Sequence, residues 1–175
     1  MGKSQGFTLV ELMVTIAVFA VIAMMAVPSF GNMMTEQKLN ASSRELALAI
    51  NQAKSQAAMM KTTVALCLNR TNTDNDFNKD KCARAAIPEY TATIAGPPVE
   101  PVLTNAQKEE VLKSRVISVQ IDPQIVVDSS SAVAVLFNEV GSATTTQTFR
   151  FCKSAQQRTV EVSRLGNIKK TSGTC

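Results

Sequence analysis

The sequence predicts an α+β fold, one long N-terminal helix packed on antiparallel β-sheet. Three observations carry that expectation. From Phe7 through Val27 the chain runs 21 residues with a single charge, Glu11. After Pro28 the pattern turns amphipathic, with Leu39, Leu46, Ile50, Ala53, Ala57 and Met60 at helical spacings of seven, four, three, four and three. Beyond about residue 61 the chain breaks into short runs rich in Val, Ile and Thr, separated by turn signals.

The helix comes first. A 21-residue helix is about 31 Å long, the thickness of the hydrocarbon core of a bilayer. A carboxylate inside such a run costs roughly 2.5 kcal/mol or more, so Glu11 requires a partner. A secretory signal would have a basic start, a shorter apolar region and a small-residue cleavage site after it. Here only Lys3 precedes the run, no Ala-x-Ala site follows it, and the run is long enough to span. An ordinary anchor accounts for the length and leaves Glu11 unexplained, while Gly6 suggests cleavage before the apolar segment. Further along, Glu36, Lys38, Arg44, Glu45 and Lys54 lie off the apolar stripe, so one helix starts in lipid and ends on a soluble domain. Pro28 and Gly31 mark its weak point.

The remaining elements follow in order. Residues 62–69 read as a strand and 70–84 as a polar loop. Residues 87–101, with four prolines and Gly96, read as an extended or looped excursion, and 108–113 as a short helix. Strands are expected at 115–121, 124–128 and 132–137, with a turn at Asn138-Glu139-Val140-Gly141. Clean alternation predicts strands at 146–152, with Phe149 and Phe151 on one face, and at 158–163, with Val160 and Val162 on one face.

Composition narrows the chemistry. The 175-residue chain has room for one membrane segment and one ordinary domain, and its net charge is a mild +4. It contains no His, which removes triad hydrolases and His-liganded zinc, and no phosphate loop or hydrolase elbow is present. No enzyme activity and no cofactor are expected. The run Asp74-Asn75-Asp76-Phe77-Asn78-Lys79-Asp80 begins like a calcium loop, but Lys79 stands where Gly is needed and Ala85 where the bidentate Glu belongs. A solvated loop without metal is expected.

The residues Gly6-Phe7-Thr8-Leu9-Val10-Glu11-Leu12, with Pro28 ending the apolar stretch, resemble the class III signal of type IV prepilins and type II secretion pseudopilins. The resemblance implies that a prepilin peptidase cuts between Gly6 and Phe7 and methylates the new amine of Phe7. It also implies that Glu11 pairs with the Phe7 amine of a neighbouring subunit. Physically, a charge that is costly alone in lipid favours the assembled state, where pairing offsets burial. The chain is further similar to the GspH/FimT group of minor pilins, through residues 57–67 ending in Val64-Ala65-Leu66-Cys67, Phe137 with Gly141, and Arg158-Thr159-Val160 followed by Gly166. That likeness implies a pilin-like fold with three parts: a leader at 1–6, a transmembrane and filament-core helix at 7–28, and a periplasmic domain at 29–175 that includes the amphipathic helix half to about 61. The implied function is a minor pilin assembling into a type IV pilus through its N-terminal helix. The alternatives are a type II secretion pseudopilin and a DNA-binding minor pilin. Implied partners are other major and minor pilins, the prepilin peptidase, the inner membrane and the pilus assembly platform. The implied location is the bacterial inner membrane, single-pass, and then the filament at the cell surface.

Four cysteines lie beyond the apolar segment, on the extracytoplasmic side in this scheme. An even count in an oxidising compartment favours two disulfides, with three pairings open. The preferred one is Cys67–Cys82 with Cys152–Cys175; a zinc site is disfavoured because no Cys-x-x-Cys is present. From Thr144 to Cys175 six basic side chains face one acid, Glu161. Arg164, Lys169 and Lys170 flank Gly166 and are the candidate DNA contacts, expected to share one surface. DNA-binding relatives carry Gly-Arg-x-Arg here; Asn167 replaces the first Arg and no aromatics interleave, so only weak, salt-sensitive binding is expected.

Overall fold

The computed structural model describes residues 7–95 and 100–175, apart from the side chains of 25–29 and Glu100. The chain divides into two compact units, one up to Gln37 and one from Lys38 to Cys175. Helix α1, Leu9–Met60, runs through both and includes the backbone at Pro28 and Gly31. In the first unit its apolar side chains, from Leu9 through Ile22 and Met24, are exposed. Among the described residues no helix is long and apolar enough to cross a membrane. The span expected at 7–28 lies partly outside the described residues, since it includes the side chains of 25–28.

In the second unit α1 packs through Leu39, Leu46, Ile50, Ala53 and Ala57, all fully buried, whereas Met60 at the frayed end is 42% exposed. The elements that follow are β1 (Val64–Leu68), α2 (Lys79–Ala86), α3 (Pro88–Thr91), β2 (Thr93–Ile94), β3 (Glu100–Pro101), α4 (Asn105–Ser114) and β4 (Val116–Val119). After them come β5 (Val126–Val127), β6 (Ala134–Phe137), β7 (Gln147–Lys153), β8 (Gln156–Val162) and β9 (Ile168–Thr174). They form a three-stranded sheet in the order β4-β1-β6, a small β2-β3 ribbon and a four-stranded sheet in the order β5-β7-β8-β9. All ladders are antiparallel except β1 with β4, where Ala65 pairs Val116 and Leu68 pairs Val119 in parallel. Parallel neighbours need a crossover connection, and residues 69–115 supply it.

Strand β1 is buried on both faces. Its side chains alternate, so Val64, Leu66 and Leu68 join α1, Phe137, Phe149, Phe151, Val160 and Val162 in the main core. Ala65 and Cys67 point the other way, into a second core with Cys82, Ala83, Ile87, Tyr90 and Val111 of the crossover.

The crossover differs from the polar loop and looped excursion expected there. Asn78 caps α2, its side chain accepting from Lys81 N at 3.0 Å, and the Cys67–Cys82 disulfide fixes α2 to β1 with a Cα separation of 5.9 Å. This helix is poorly marked in the sequence, because half of its residues are charged and the face it buries is made of small ones, Cys82 and Ala83. Thr104 and Gln107 form a capping box, which starts α4 three residues ahead of the expected 108. Asp74, the first acid of the calcium-like run, is taken by Lys81 at 2.6 Å and accepts Asp76 N at 2.9 Å. Among the described residues no three His, Cys, Asp or Glu side chains converge on a metal position.

The segment 168–174, to which the sequence assigns no element, is strand β9, paired to β8 over seven consecutive positions. Its end is tied down by the Cys152–Cys175 disulfide, with Cα atoms 6.0 Å apart, and by Cys175 N donating to Ala155 O. Each disulfide restricts the unfolded chain by about 3 kcal/mol in the loop-entropy account. The β7–β8 hairpin turns through Ser154 and Ala155 with φ of 48° and 64°, the left-handed pair that such turns need and that Asn-Gly usually supplies.

Ala155→Gly relieves a left-handed alanine and should stabilise the domain by about 1 kcal/mol, a Tm rise of roughly 3 °C in thermal unfolding. In the crossover, hydrogen bonds from Lys81 and from Arg84 with Tyr90 hold the carboxyls of Asp74 and Asp80 below their ordinary range. Burial, then the bond to Asp80, pushes the Tyr90 hydroxyl up to about 12. The carboxylates therefore contribute stability that is fully present above about pH 4 and lost as pH falls through their lowered values. The tyrosine contribution is present below about pH 10 and lost as pH rises through its raised value. Hydrogen exchange of α2, corrected for intrinsic rate, should be flat from about pH 5 to 9 and rise outside that window. Greater protection below pH 4 would contradict the assignment.

Candidate functional site

The start of α1 is built by Thr8 and Glu11. Glu11 N donates to Thr8 Oγ1 at 3.2 Å, while Thr8 N and Thr8 Oγ1 donate to Glu11 Oε2 at 3.2 and 3.0 Å. This is a reciprocal capping box, which satisfies donors that a helix start leaves open and sets a negative charge at the positive end of the helix dipole. The one carboxylate of the apolar run thus has a partner within its own chain, held one residue from Phe7. Its other oxygen, Oε1, accepts no hydrogen bond among the described residues. Phe7 is 76% exposed. Gly6, and with it the expected cleavage point, lies outside the described residues. The Thr8-x-x-Glu11 spacing is itself a capping-box signature, local enough to be legible in the sequence.

At the other end of the chain the basic residues are dispersed. Lys169 and Lys170 are consecutive in β9, so their side chains leave opposite faces of the sheet. Lys169 sits across from Glu161, and Lys170 across from Val160. Arg164 is exposed in the turn between β8 and β9, where Ser163 N donates to Asn167 O. The single cationic surface expected of Arg164, Lys169 and Lys170 is therefore not formed, for the elementary reason that neighbours in a strand diverge. The other three cations of this region are engaged within the domain. Arg150 donates to Ser130 O at 2.9 Å, Lys153 to Gln124 Oε1 at 2.5 Å and Arg158 to Asn40 Oδ1 at 2.9 Å.

Gly166 has a packing role. Lys54 reaches from α1 and its Nζ donates to Gly166 O at 2.7 Å. Gly166 has φ +74°, and a Cβ there would stand 2.6 Å from Lys54 Cε. Gly141, φ +77°, lies against the same residue, where a Cβ would stand 3.1 Å from Lys54 O. Two glycine turns thus close on one lysine, a contact between distant segments that no local pattern announces. Gly166→Ala should destabilise the domain by about 2 kcal/mol through the left-handed backbone and the collision, and Lys54→Ala in the same chain should restore part of the loss. An unchanged Tm for Gly166→Ala would contradict the left-handed backbone at 166, and no recovery in the double variant would contradict the Lys54 contact.

No curated protein matches the sequence. Among solved structures, the crystal structure of the type IV minor pilin FimU of Pseudomonas aeruginosa is similar at 14% identity and a TM-score of 0.43, covering 79% of this chain and 92% of that one. Residues 1–27 match the prokaryotic N-terminal methylation motif. Residues 42–166, which hold nearly all of the globular unit, match the family described as type II transport protein GspH. The chain belongs to that family and is a type IV minor pilin or pseudopilin of the GspH/FimT group.

Proposed function

We propose that this protein is a minor pilin of a type IV pilus, held in the bacterial inner membrane by residues 7–28 until it is drawn into the filament through the same segment. Its role is structural and involves no catalytic step. The observation that carries the reading is Glu11, a carboxylate at the head of an exposed apolar helix, oriented toward the chain start by Thr8. Cleavage between Gly6 and Phe7 creates an amine beside this carboxylate, and Oε1 then meets the Phe7 amine of a neighbouring subunit. In lipid that pairing offsets the cost of burying either charge alone. The globular unit, from Lys38 onward, contacts other pilins.

A type II secretion pseudopilin uses the same physics in another machine, and the family description keeps it in view. The strand Val64-Ala65-Leu66-Cys67 and its disulfide resemble the pilus branch of the group, which favours the pilus. Co-purification with pilus or with secretion components separates the two. Capture of DNA has less support, since Lys169 and Lys170 diverge and three further cations are engaged.

The test separates capping from pairing. Glu11→Gln keeps an acceptor for the Thr8 backbone and loses the charge; Glu11→Ala loses both. Incorporation into filaments should fall at least tenfold for both variants, about 1.4 kcal/mol of lost coupling, with membrane insertion unimpaired. Normal incorporation of Glu11→Gln would reduce Glu11 to a helix cap. Mass spectrometry of the filament-borne wild-type chain should show N-methylated Phe7 at its start, and an intact Met1 there would overturn the processing step.

A further inference from the structure

Strand β9 is an edge of the four-stranded sheet, and its free side is defined by its hydrogen bonds. At one end of the β8–β9 ladder Ser163 N donates to Asn167 O, and at the other Cys175 N donates to Ala155 O. Bonded and non-bonded pairs alternate in an antiparallel ladder. Counting inward from either end gives the same answer: Lys169, Thr171 and Gly173 bond to β8, while Ile168, Lys170, Ser172 and Thr174 turn their N–H and C=O groups outward. Every residue from Lys169 to Thr174 is exposed. The outer row is thus an unpaired template about 20 Å long.

Exposed edges are ordinarily blunted by proline, by a bulge, by shortness or by charged side chains, lysine above all. β9 has no proline and no bulge and is seven residues long with unbroken register, so its lysines are the one guard it carries, and a guard of that kind repels cationic strands while admitting acidic ones. It is also anchored at both ends, by Lys54 on Gly166 and by the Cys152–Cys175 disulfide, so the template is held extended before any partner arrives. What the edge does carry is Lys169 and Lys170, with Arg164 just ahead and no acid between 164 and 175. Pairing two β9 edges would gather four lysines into one short ribbon, which disfavours a second copy of this chain. An acidic strand meets the opposite condition.

We propose that β9 is a docking edge for an extended, acidic segment of a neighbouring pilin subunit, added to the sheet as a fifth strand. Main-chain bonds to Lys170, Ser172 and Thr174 supply the attachment, and Lys169 and Lys170 select for carboxylates. The identity of the partner as a pilin rests on the filament reading above; the edge itself does not.

The experiment uses the full chain in detergent micelles and two capped seven-residue peptides, one alternating glutamate with valine and its twin with lysine for glutamate. Titration followed by amide NMR should shift Lys170, Ser172 and Thr174, with the acidic peptide binding at least tenfold more tightly. Ser172→Pro removes an outward N–H and spares the β8 ladder, so it should abolish binding while β8 amides and both disulfides stay unchanged. Lys169→Glu with Lys170→Glu should reverse the preference between the twins. Equal affinity for both peptides, shifts confined to other surfaces, or no shift at millimolar peptide would overturn the proposal. So would concentration-dependent dimerisation through β9, which would assign the edge to a second copy. A chain that binds the acidic peptide but never enters filaments would leave the docking edge standing and remove the filament reading alone.

Discussion

One stripe on α1 holds the globular unit together. Leu39, Leu46, Ile50, Ala53 and Ala57 share a single core with β1 and β6 of one sheet and with β7 and β8 of the other. The two sheets are separate ladders, and this stripe is the surface on which their apolar faces meet. Phe137, Phe149 and Phe151, all fully buried, belong to the same core as Ala53 and Ala57. Truncating one of those rings to alanine in such a core costs about 3–5 kcal/mol, a large share of the stability of a domain this size.

Where burial had a local period, the sequence displayed it. The α1 stripe follows the helical repeat, and Phe149, Phe151, Val160 and Val162 follow the strand repeat, so both were readable without any partner in view. The fold class followed from these patterns, and the family likeness from the Gly6–Leu12 motif together with the residues around Cys67, Phe137 and Gly166. What stayed hidden lacked such a period. α2 carries charges on half of its residues and buries only small ones, Cys82 and Ala83, and β9 packs only Ile168 against the core. The parallel pairing of β1 with β4 joins residues about fifty positions apart, beyond the reach of any window on the chain.

The candidate site was legible in composition and less so in geometry. Glu11 stands out because a charge in an apolar run is costly, and the same cost points to a distant counter-charge and away from the local Thr8 partner. The basic C-terminal residues could be counted, but counting does not place them on a face. Once 168–174 is a strand, Lys169 and Lys170 must diverge. Gly166 changes meaning in the same way, from a marker of nucleic-acid contact to the seat of Lys54.

The parallel ladder between β1 and β4 also governs how this protein tolerates changes in chain length. Residues 69–115 are the connection that carries the chain back to the same end of the sheet, so excising them would leave β4 unable to pair in its present direction. A deletion that spares a dozen or more residues keeps the topology, although it forfeits the cover over Ala65 and Cys67. Insertions meet the least resistance at the β2–β3 ribbon, whose paired residues Thr93 and Ile94 lie exposed outside both cores. The crossover can therefore lengthen while the core sheets and the helix stripe packed on them keep one plan.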